Sequence, residues 1–95
     1  MYKVQYHRLV VEKDFKNVPK ADINKILKAV HKKLTLDPIA FGKPLACELV
    51  GYFRLRVGMY RLIYRVSAGE VTVFVLKVGI RKDFIVYQEA TKRLS

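Results

Sequence analysis

The sequence has little of several residue types that common folds and sites depend on. A single cysteine, Cys47, excludes an internal disulfide framework and a cysteine-rich zinc site. The uninterrupted apolar runs are too short to cross a bilayer, and Lys3, His7 and Arg8 interrupt any apolar signal-peptide segment. We therefore expect an intracellular, cytoplasmic protein in a reducing compartment, without membrane association.

Acidic residues are also scarce, which limits the chemistry that the chain can perform. Between residues 43 and 82 the only carboxylates are Glu48 and Glu70, so a hydrolase with paired carboxylates is disfavoured. The phosphate-binding glycine motifs and the G-x-S-x-G nucleophile motif do not occur in the sequence. His7 and His31 lack partners at metal-ligand spacing. We therefore expect neither a metal nor another cofactor.

Positive charge is abundant instead. The 95 residues carry 19 Lys and Arg against 8 Asp and Glu, a formal net charge of +11. This charge favours binding to a polyanionic partner, such as nucleic acid or an acidic protein. A basic surface that serves only solubility would have the same net charge, so the total does not decide between the two. Most lysines fall in the first 33 residues, whereas most arginines fall between residues 54 and 81. Because arginine grips phosphate bidentately, the second half is the better candidate for a binding site.

A length of 95 residues predicts a single domain over residues 1–95, because the chain is too short for two independent cores, and hydrophobic periodicity predicts its elements. The expected elements are, in chain order, strand 2–7, helix 9–16, helix 20–34, strands 52–57, 60–66 and 71–78, and helix 82–94. The order predicts an α+β fold: a small, mostly antiparallel sheet with two N-terminal helices and a C-terminal helix, all packed on one face. Residues 37–44 are expected to form a loop, Gly79 to end the last strand, and Cys47 to be a small buried residue on a strand.

The second predicted helix carries a lysine-rich face. Its apolar residues recur at helical spacing, and the face between them carries Lys25, Lys28, Lys32 and Lys33. Such a face commonly serves only solubility. A sequence-independent attraction to RNA phosphates is the alternative, and the spacing does not decide between them.

Five arginines lie on or just after the predicted strands. Arg54 and Arg56 project from one face of the first strand, Arg61 and Arg65 from the next, and Arg81 follows the last. Neighbouring strands bring such side chains together where the register allows, so they form either one convergent site or a charged, exposed sheet face.

Tyr87 follows Arg81 by six residues, near the start of the closing helix. Core packing is the ordinary role of an isolated tyrosine, but beside arginines it suggests cleavage of RNA by attack of its own 2′-hydroxyl. Arginine neutralises the developing phosphorane charge, and tyrosine stacks on a base, orients the hydroxyl or moves a proton.

The stretch from residue 49 to 66, which includes Tyr60-Arg61-Leu62-Ile63-Tyr64, resembles the signature of RelE toxins in the RelE/ParE superfamily. So does the stretch from residue 71 to 82, continuing through Tyr87 to Leu94. The resemblance covers nearly the whole chain and is densest from residue 49 to 94.

The resemblance implies a toxin that cuts mRNA in the ribosomal A site and is neutralised by an acidic, RelB-like antitoxin. It implies that Arg61 stabilises the phosphate, that Arg81 is the general acid and that Tyr87 stacks on and orients the substrate. Arg54 and Arg56 would serve in proton abstraction and charge stabilisation, although the best-studied member carries lysines there. Arg65, Lys82 and the four lysines of the second helix are the further candidates for RNA contacts.

Two other functions remain open on the sequence. A ParE-like branch of the same superfamily inhibits DNA gyrase and generally lacks the arginine and tyrosine set. A basic RNA-binding module without turnover is the third hypothesis. Retention of Arg61, Arg81 and Tyr87 favours the nuclease, because the residues of a site say more about function than the fold does.

Overall fold

A computed structural model of the chain describes residues 1–80 and 85–94. It shows a five-stranded sheet with the strand order β1-β5-β4-β3-β2. The parallel pairing joins β1, the first strand, to β5, the last strand, and the other pairings are antiparallel. The α+β class and the mostly antiparallel sheet are therefore confirmed. The strands are β1 (Lys3–Tyr6), β2 (Lys43–Pro44), β3 (Tyr52–Val57), β4 (Tyr60–Ser67) and β5 (Thr72–Ile80).

Helices form in each of the three predicted segments, although the last ends at Thr91, and residues 82–84 of its predicted span lie outside the described residues. A π-helical turn, Val10–Asp14, runs into a 3-10 turn, Phe15–Asn17. Helix α1 (Lys20–Ala29) continues through a second π-helical turn, Val30–Leu34, and α3 (Ile85–Thr91) packs on the sheet. Among the described residues, no helix has the length and apolar character needed to traverse a bilayer.

The expectation that all helices pack on one face of the sheet is wrong. The N-terminal helical turns and α1 cover one face, where Val10 and Ile26 join Leu62 in a buried cluster. Helix α3 covers the opposite face, where Val86 packs in a second cluster. Strand β5 is apolar on both sides, and Ile63 of β4 is buried on the second face, so each face needs its own cover.

A bulge in β5 sets which residues face each cluster. Ile63 pairs with Lys77 and Tyr64 pairs with Val75, which leaves Leu76 as an extra residue on β5. Regular alternation would place Val78 on the same face as Leu76. Because of the bulge, Val78 joins the first cluster while Leu76 stays in the second.

Residues 37–44 are not a plain loop. They contain the short helix α2 (Pro38–Phe41), which begins with proline and is capped by the Asp37 carboxylate accepting the Ala40 N–H at 3.2 Å. They also contain β2, which adds two residues to the sheet edge beside β3.

Two smaller expectations are also wrong. Cys47 is exposed, at the start of a 3-10 turn (Cys47–Leu49), with a positive φ of 57°. A turn in place of the expected strand leaves its side chain outside both clusters. Gly79 does not end the last strand, since β5 continues to Ile80.

A buried ionic network ties the first helical segment to β5 and to the end of α3. The Asp14 carboxylate accepts two hydrogen bonds from Arg93 at 2.7 and 2.8 Å and one from Lys77 at 2.9 Å. It also accepts the backbone N–H of Val78 at 2.9 Å. The side chains are nearly buried, at 1% exposure for Asp14, 6% for Arg93 and 7% for Lys77. Lys77 also pairs with Glu89 of α3 at 3.2 Å.

We expect Asp14→Asn to destabilise the protein by about 3–5 kcal/mol, because two buried cations lose their shared carboxylate. Urea unfolding followed by circular dichroism measures this loss. Glu12→Gln is the matched control on the same turn, since Glu12 pairs with Arg8 at the surface, at 60% and 76% side-chain exposure. The control should change the free energy of unfolding by less than about 1 kcal/mol. Equal losses in both variants would contradict a structural role for the network.

The Asp14 carboxylate makes the stability of the protein depend on pH. Burial alone would raise the pKa of Asp14, but the hydrogen bonds from Arg93, Val78 and Lys77 outweigh it and hold the pKa below its usual value. The contribution of Asp14 to the free energy of unfolding is therefore complete above the pKa of an unfolded aspartate, about 4. It is lost as the pH falls through the lower pKa that Asp14 has in the folded protein. The stability difference between wild type and Asp14→Asn should shrink as the pH is lowered below about 4. A difference that is constant from pH 7 to pH 2 would refute this linkage.

Candidate active site

Three side chains from three elements meet above the sheet. The hydroxyl oxygen of Tyr87, on α3, accepts one hydrogen bond from Nη1 of Arg54 and one from Nη1 of Arg61, both at 3.1 Å. Arg54 lies on β3 and pairs with Ile63 of β4. Arg61 precedes Ile63 by two residues on β4, so Arg54 and Arg61 project from the same face of the sheet. The convergence that the sequence left open is therefore present for these three residues.

The hydrogen bonds of this cluster define what its tyrosine can offer a ligand. A phenolic oxygen has two lone pairs and one hydrogen. With Arg54 and Arg61 both donating to the oxygen, the hydrogen of Tyr87 is available to a third group. In this arrangement Tyr87 is a hydrogen-bond donor to whatever binds the cluster.

The positive charge of the cluster is not compensated within it. Among the described residues no carboxylate lies within 4.0 Å of Arg54 or Arg61, in contrast to Lys77 and Arg93. The Nε atoms of both arginines are buried and have no hydrogen-bond partner in that part of the chain. Each half-buried guanidinium has further Nη hydrogens besides the one donated to Tyr87, so the pair forms a site for an anion with several oxygen atoms.

Packing fixes the position of the tyrosine. Tyr87 packs against the second cluster, beside the buried residues Ile63 and Val86. The guanidinium carbon of Arg61 lies 5.6 Å from the centroid of its ring, a cation–π contact. The sheet and α3 therefore hold both the ring and the hydroxyl before any ligand arrives.

The other predicted arginines are placed differently. Arg56 pairs with Arg61 in the strand register, but its side chain is exposed. Arg65 is exposed on the far side of Ile63, with its guanidinium carbon 5.3 Å from the ring centroid of Phe74. Arg81 and Lys82 lie outside the described residues.

The lysines of the second helix border different features of the surface. Lys25 borders a cavity beside Met59 and Tyr60, whereas Lys28 and Lys32 border a separate groove beside Leu36. The π-helical turn after α1 changes the helical phase, and Lys33 lies over the ring of Phe41 at 5.9 Å.

A basic cleft beside the cluster was not predicted from the sequence. Lys33, Phe41, Lys43, Arg54 and Arg56 line a cleft of about 320 Å³ at the β2 edge. The feature of the sequence that could have indicated this cleft is the run Phe41-Gly42-Lys43, which places an aromatic and a basic residue in a segment expected to be a loop.

Comparison with known proteins identifies the family. Residues 4–83 match the family model described as the ParE toxin of the type II toxin–antitoxin system parDE. The chain belongs to the RelE/ParE family of type II toxins. It is 35% identical over 71 residues to Toxin RelG of Mycobacterium tuberculosis, an alignment that covers 75% of this chain and 82% of that protein. It is 49% identical over 41 residues to the mRNA interferase toxin RelE of Escherichia coli, which covers 43% of each chain.

Solved structures of RelE/ParE toxins agree with this assignment. A chain of the toxin–antitoxin complex RelBE2 from Mycobacterium tuberculosis superposes with a TM-score of 0.77 at 32% identity, covering 84% of this chain and 98% of that chain. The isolated Escherichia coli RelE toxin superposes over the full length of both chains with a TM-score of 0.71 at 23% identity, which shows the shared fold.

We expect Tyr87→Phe to lower the free energy of unfolding by about 1–2 kcal/mol, because the two arginines lose the oxygen that accepts their hydrogen bonds. Tyr52→Phe is the matched control. Tyr52 packs against the same cluster, and its hydroxyl has no hydrogen-bond partner within residues 1–80 and 85–94. Urea unfolding of both variants tests the contact, and equal stability of Tyr87→Phe and wild type would disprove it.

Proposed function

We propose that this toxin is a metal-free endoribonuclease that cuts mRNA in the A site of the ribosome and so inhibits translation. The observation that supports the proposal is the meeting of Arg54, Arg61 and Tyr87 at one point without a neutralising carboxylate among the described residues. The name of the Escherichia coli relative, an mRNA interferase toxin, supports the same reaction.

In the proposed reaction the 2′-oxygen of one nucleotide attacks the adjacent phosphorus. The bond from phosphorus to the 2′-oxygen forms and the bond to the 5′-oxygen breaks, which yields a 2′,3′-cyclic phosphate and a free 5′-hydroxyl. One group takes the 2′-hydroxyl proton and another protonates the leaving 5′-oxygen. Cations must stabilise the phosphorane, whose charge exceeds that of the starting phosphate.

Each residue has a proposed role in this reaction. Arg61 stabilises the phosphorane, and Arg81 protonates the leaving oxygen. Arg54 and Arg56 stabilise charge and assist removal of the 2′-hydroxyl proton. Tyr87 positions the substrate with its ring and donates its hydroxyl hydrogen to a phosphate oxygen. The two hydrogen bonds that the Tyr87 oxygen accepts support a donor role over a role as proton acceptor.

The proposed partners follow from charge and from the relatives. The net charge of +11 supports a ribosomal target and an acidic, RelB-like antitoxin, and it is consistent with a cytoplasmic location. The solved complexes of relatives are toxin–antitoxin complexes. We propose that the exposed lysines 25, 28 and 32, half-buried Lys33, exposed Arg65, and Lys82 attract RNA phosphates.

We expect wild-type protein to cut a defined mRNA in the A-site codon of programmed ribosomes, as read by primer extension, and to leave the naked mRNA intact. Arg61→Ala should slow the cutting by about 10²–10³-fold, because one charge-stabilising donor is lost at the transition state. Arg8→Ala is the control, since Arg8 pairs with Glu12 at the surface. Circular dichroism establishes that both variants are folded.

The family model that matches the chain is named for ParE, which makes gyrase inhibition the second candidate. Absence of cuts on ribosomes, together with loss of DNA supercoiling by gyrase, would reject the nuclease and support that candidate. Cuts on naked mRNA at the same rate would keep the nuclease and remove the ribosome from its mechanism.

A further inference from the structure

The basic cleft defined above lies next to the arginine–tyrosine cluster and shares Arg54 with it. The cleft is open to solvent and is bordered by α2, β2, β3 and the turn that follows α1. Its cations are Lys33, Lys43, Arg54 and Arg56, and its aromatic residue is Phe41, which is 50% exposed.

The cleft exists because β2 is short. Lys43 pairs with Arg54 and Pro44 pairs with Phe53, and the pairing ends there. The β3 segment at Leu55 and Arg56 continues beyond the end of β2. Residues 38–41 turn away into α2 instead of extending the strand, because Pro38 and the Asp37 cap start a helix there.

The side chains of the cleft combine charge with a flat apolar surface. The Nζ atom of Lys33 lies 5.9 Å from the centroid of the Phe41 ring, and Phe41 is 50% exposed. No carboxylate of the described residues pairs with Lys33, Lys43 or Arg54 within 4.0 Å. Lysines beside an exposed aromatic ring are the arrangement that binds single-stranded nucleic acid, with charge for the phosphates and a surface on which a base stacks.

We infer that this cleft binds the nucleotide next to the scissile phosphate of a single-stranded RNA, with its base on Phe41 and its phosphate at Lys43 and Lys33. The inference rests on the proposed function, since it extends the RNA path from the arginine–tyrosine cluster. One strand that passes over Arg54 places one phosphate at the cluster and a neighbouring nucleotide in the cleft.

An acidic peptide is the other ligand that four cations would attract. Its carboxylates satisfy the charge but bring no flat ring to the exposed face of Phe41. RNA places a base and a phosphate in every unit, so it matches both the charge and the aromatic surface of the cleft. The choice between these ligands is an outcome of the test.

The test measures binding of a fluorescent hexanucleotide of 2′-O-methyl RNA, which lacks the attacking hydroxyl and is not cut. Phe41→Ala should weaken binding about tenfold, because stacking of one base is lost. Phe41→Tyr should restore it. Lys43→Gln should lower the slope of log affinity against log salt by about 0.7, the value for one phosphate contact on a single strand.

Two control variants test whether a loss of binding is specific to the cleft. They remove an exposed apolar side chain and an exposed lysine from outside it. Ile39→Ala changes an apolar residue of the same helix with nearly equal exposure, 53% against 50% for Phe41. Lys3→Gln removes an exposed lysine from β1, at the opposite edge of the sheet. Both should bind the hexanucleotide as wild type does.

A fluorescent hexaglutamate peptide is the probe for the acidic alternative. Three results would overturn the inference: no binding of the hexanucleotide, equal binding of it by Phe41→Ala and Ile39→Ala, or cleft variants that weaken binding of hexaglutamate but not of the hexanucleotide. On programmed ribosomes Phe41→Ala should raise KM about tenfold with little change in kcat, whereas Arg61→Ala lowers kcat. If wild type cuts no mRNA on ribosomes but the cleft variants still weaken hexanucleotide binding, the nuclease function fails and the RNA-binding cleft stands.

Discussion

One buried carboxylate, that of Asp14, ties the first helical segment, β5 and the residues after α3 to one another. It binds Arg93 with both oxygens, accepts a hydrogen bond from Lys77 and accepts the backbone N–H of Val78. The β1 strand ends at Tyr6, whose partner on β5 is Val75, so Asp14 satisfies β5 backbone that β1 no longer reaches. Because Arg93 follows α3 directly, the same contact holds that helix, and Tyr87 on it, against the sheet.

The basic residues of this protein therefore serve two different purposes. Lys77 and Arg93 are buried and matched by carboxylates, and their charge is used within the fold. Arg54 and Arg61 are half-buried and share the hydroxyl oxygen of Tyr87, and no carboxylate of the described residues pairs with them, so their charge is available to a ligand. The net charge of the sequence does not separate these two groups. Burial and the location of the few acidic residues separate them.

Local patterns predicted much of the fold and the centre of the site. The period-two alternation of β3 and β4 correctly placed Arg54 and Arg61 on the face opposite the first cluster, because strand side chains alternate strictly. The contacts of Asp14 with Lys77 and Arg93 span 63 and 79 residues, and no local pattern reports such pairs. The two-sided cover of the sheet escaped prediction because an apolar strand does not reveal which helix covers each face. The basic cleft was not predicted because β2, which forms one of its walls, has only two residues and leaves no periodic pattern in the sequence.

The parallel pairing of β1 with β5 has a consequence for how the protein folds during its synthesis. Lys3 meets Thr72 and Asp14 meets Arg93 across nearly the length of the chain, so the closing contacts of the fold are among the most distant in sequence. Closing such long loops costs entropy before the contacts repay it, which places them late in folding. A nascent chain whose residue 93 is still inside a ribosome lacks the contact that anchors Tyr87. Until residue 93 has left the ribosome, helix α3 therefore lacks the buried ion pair that ties it to the first helical segment.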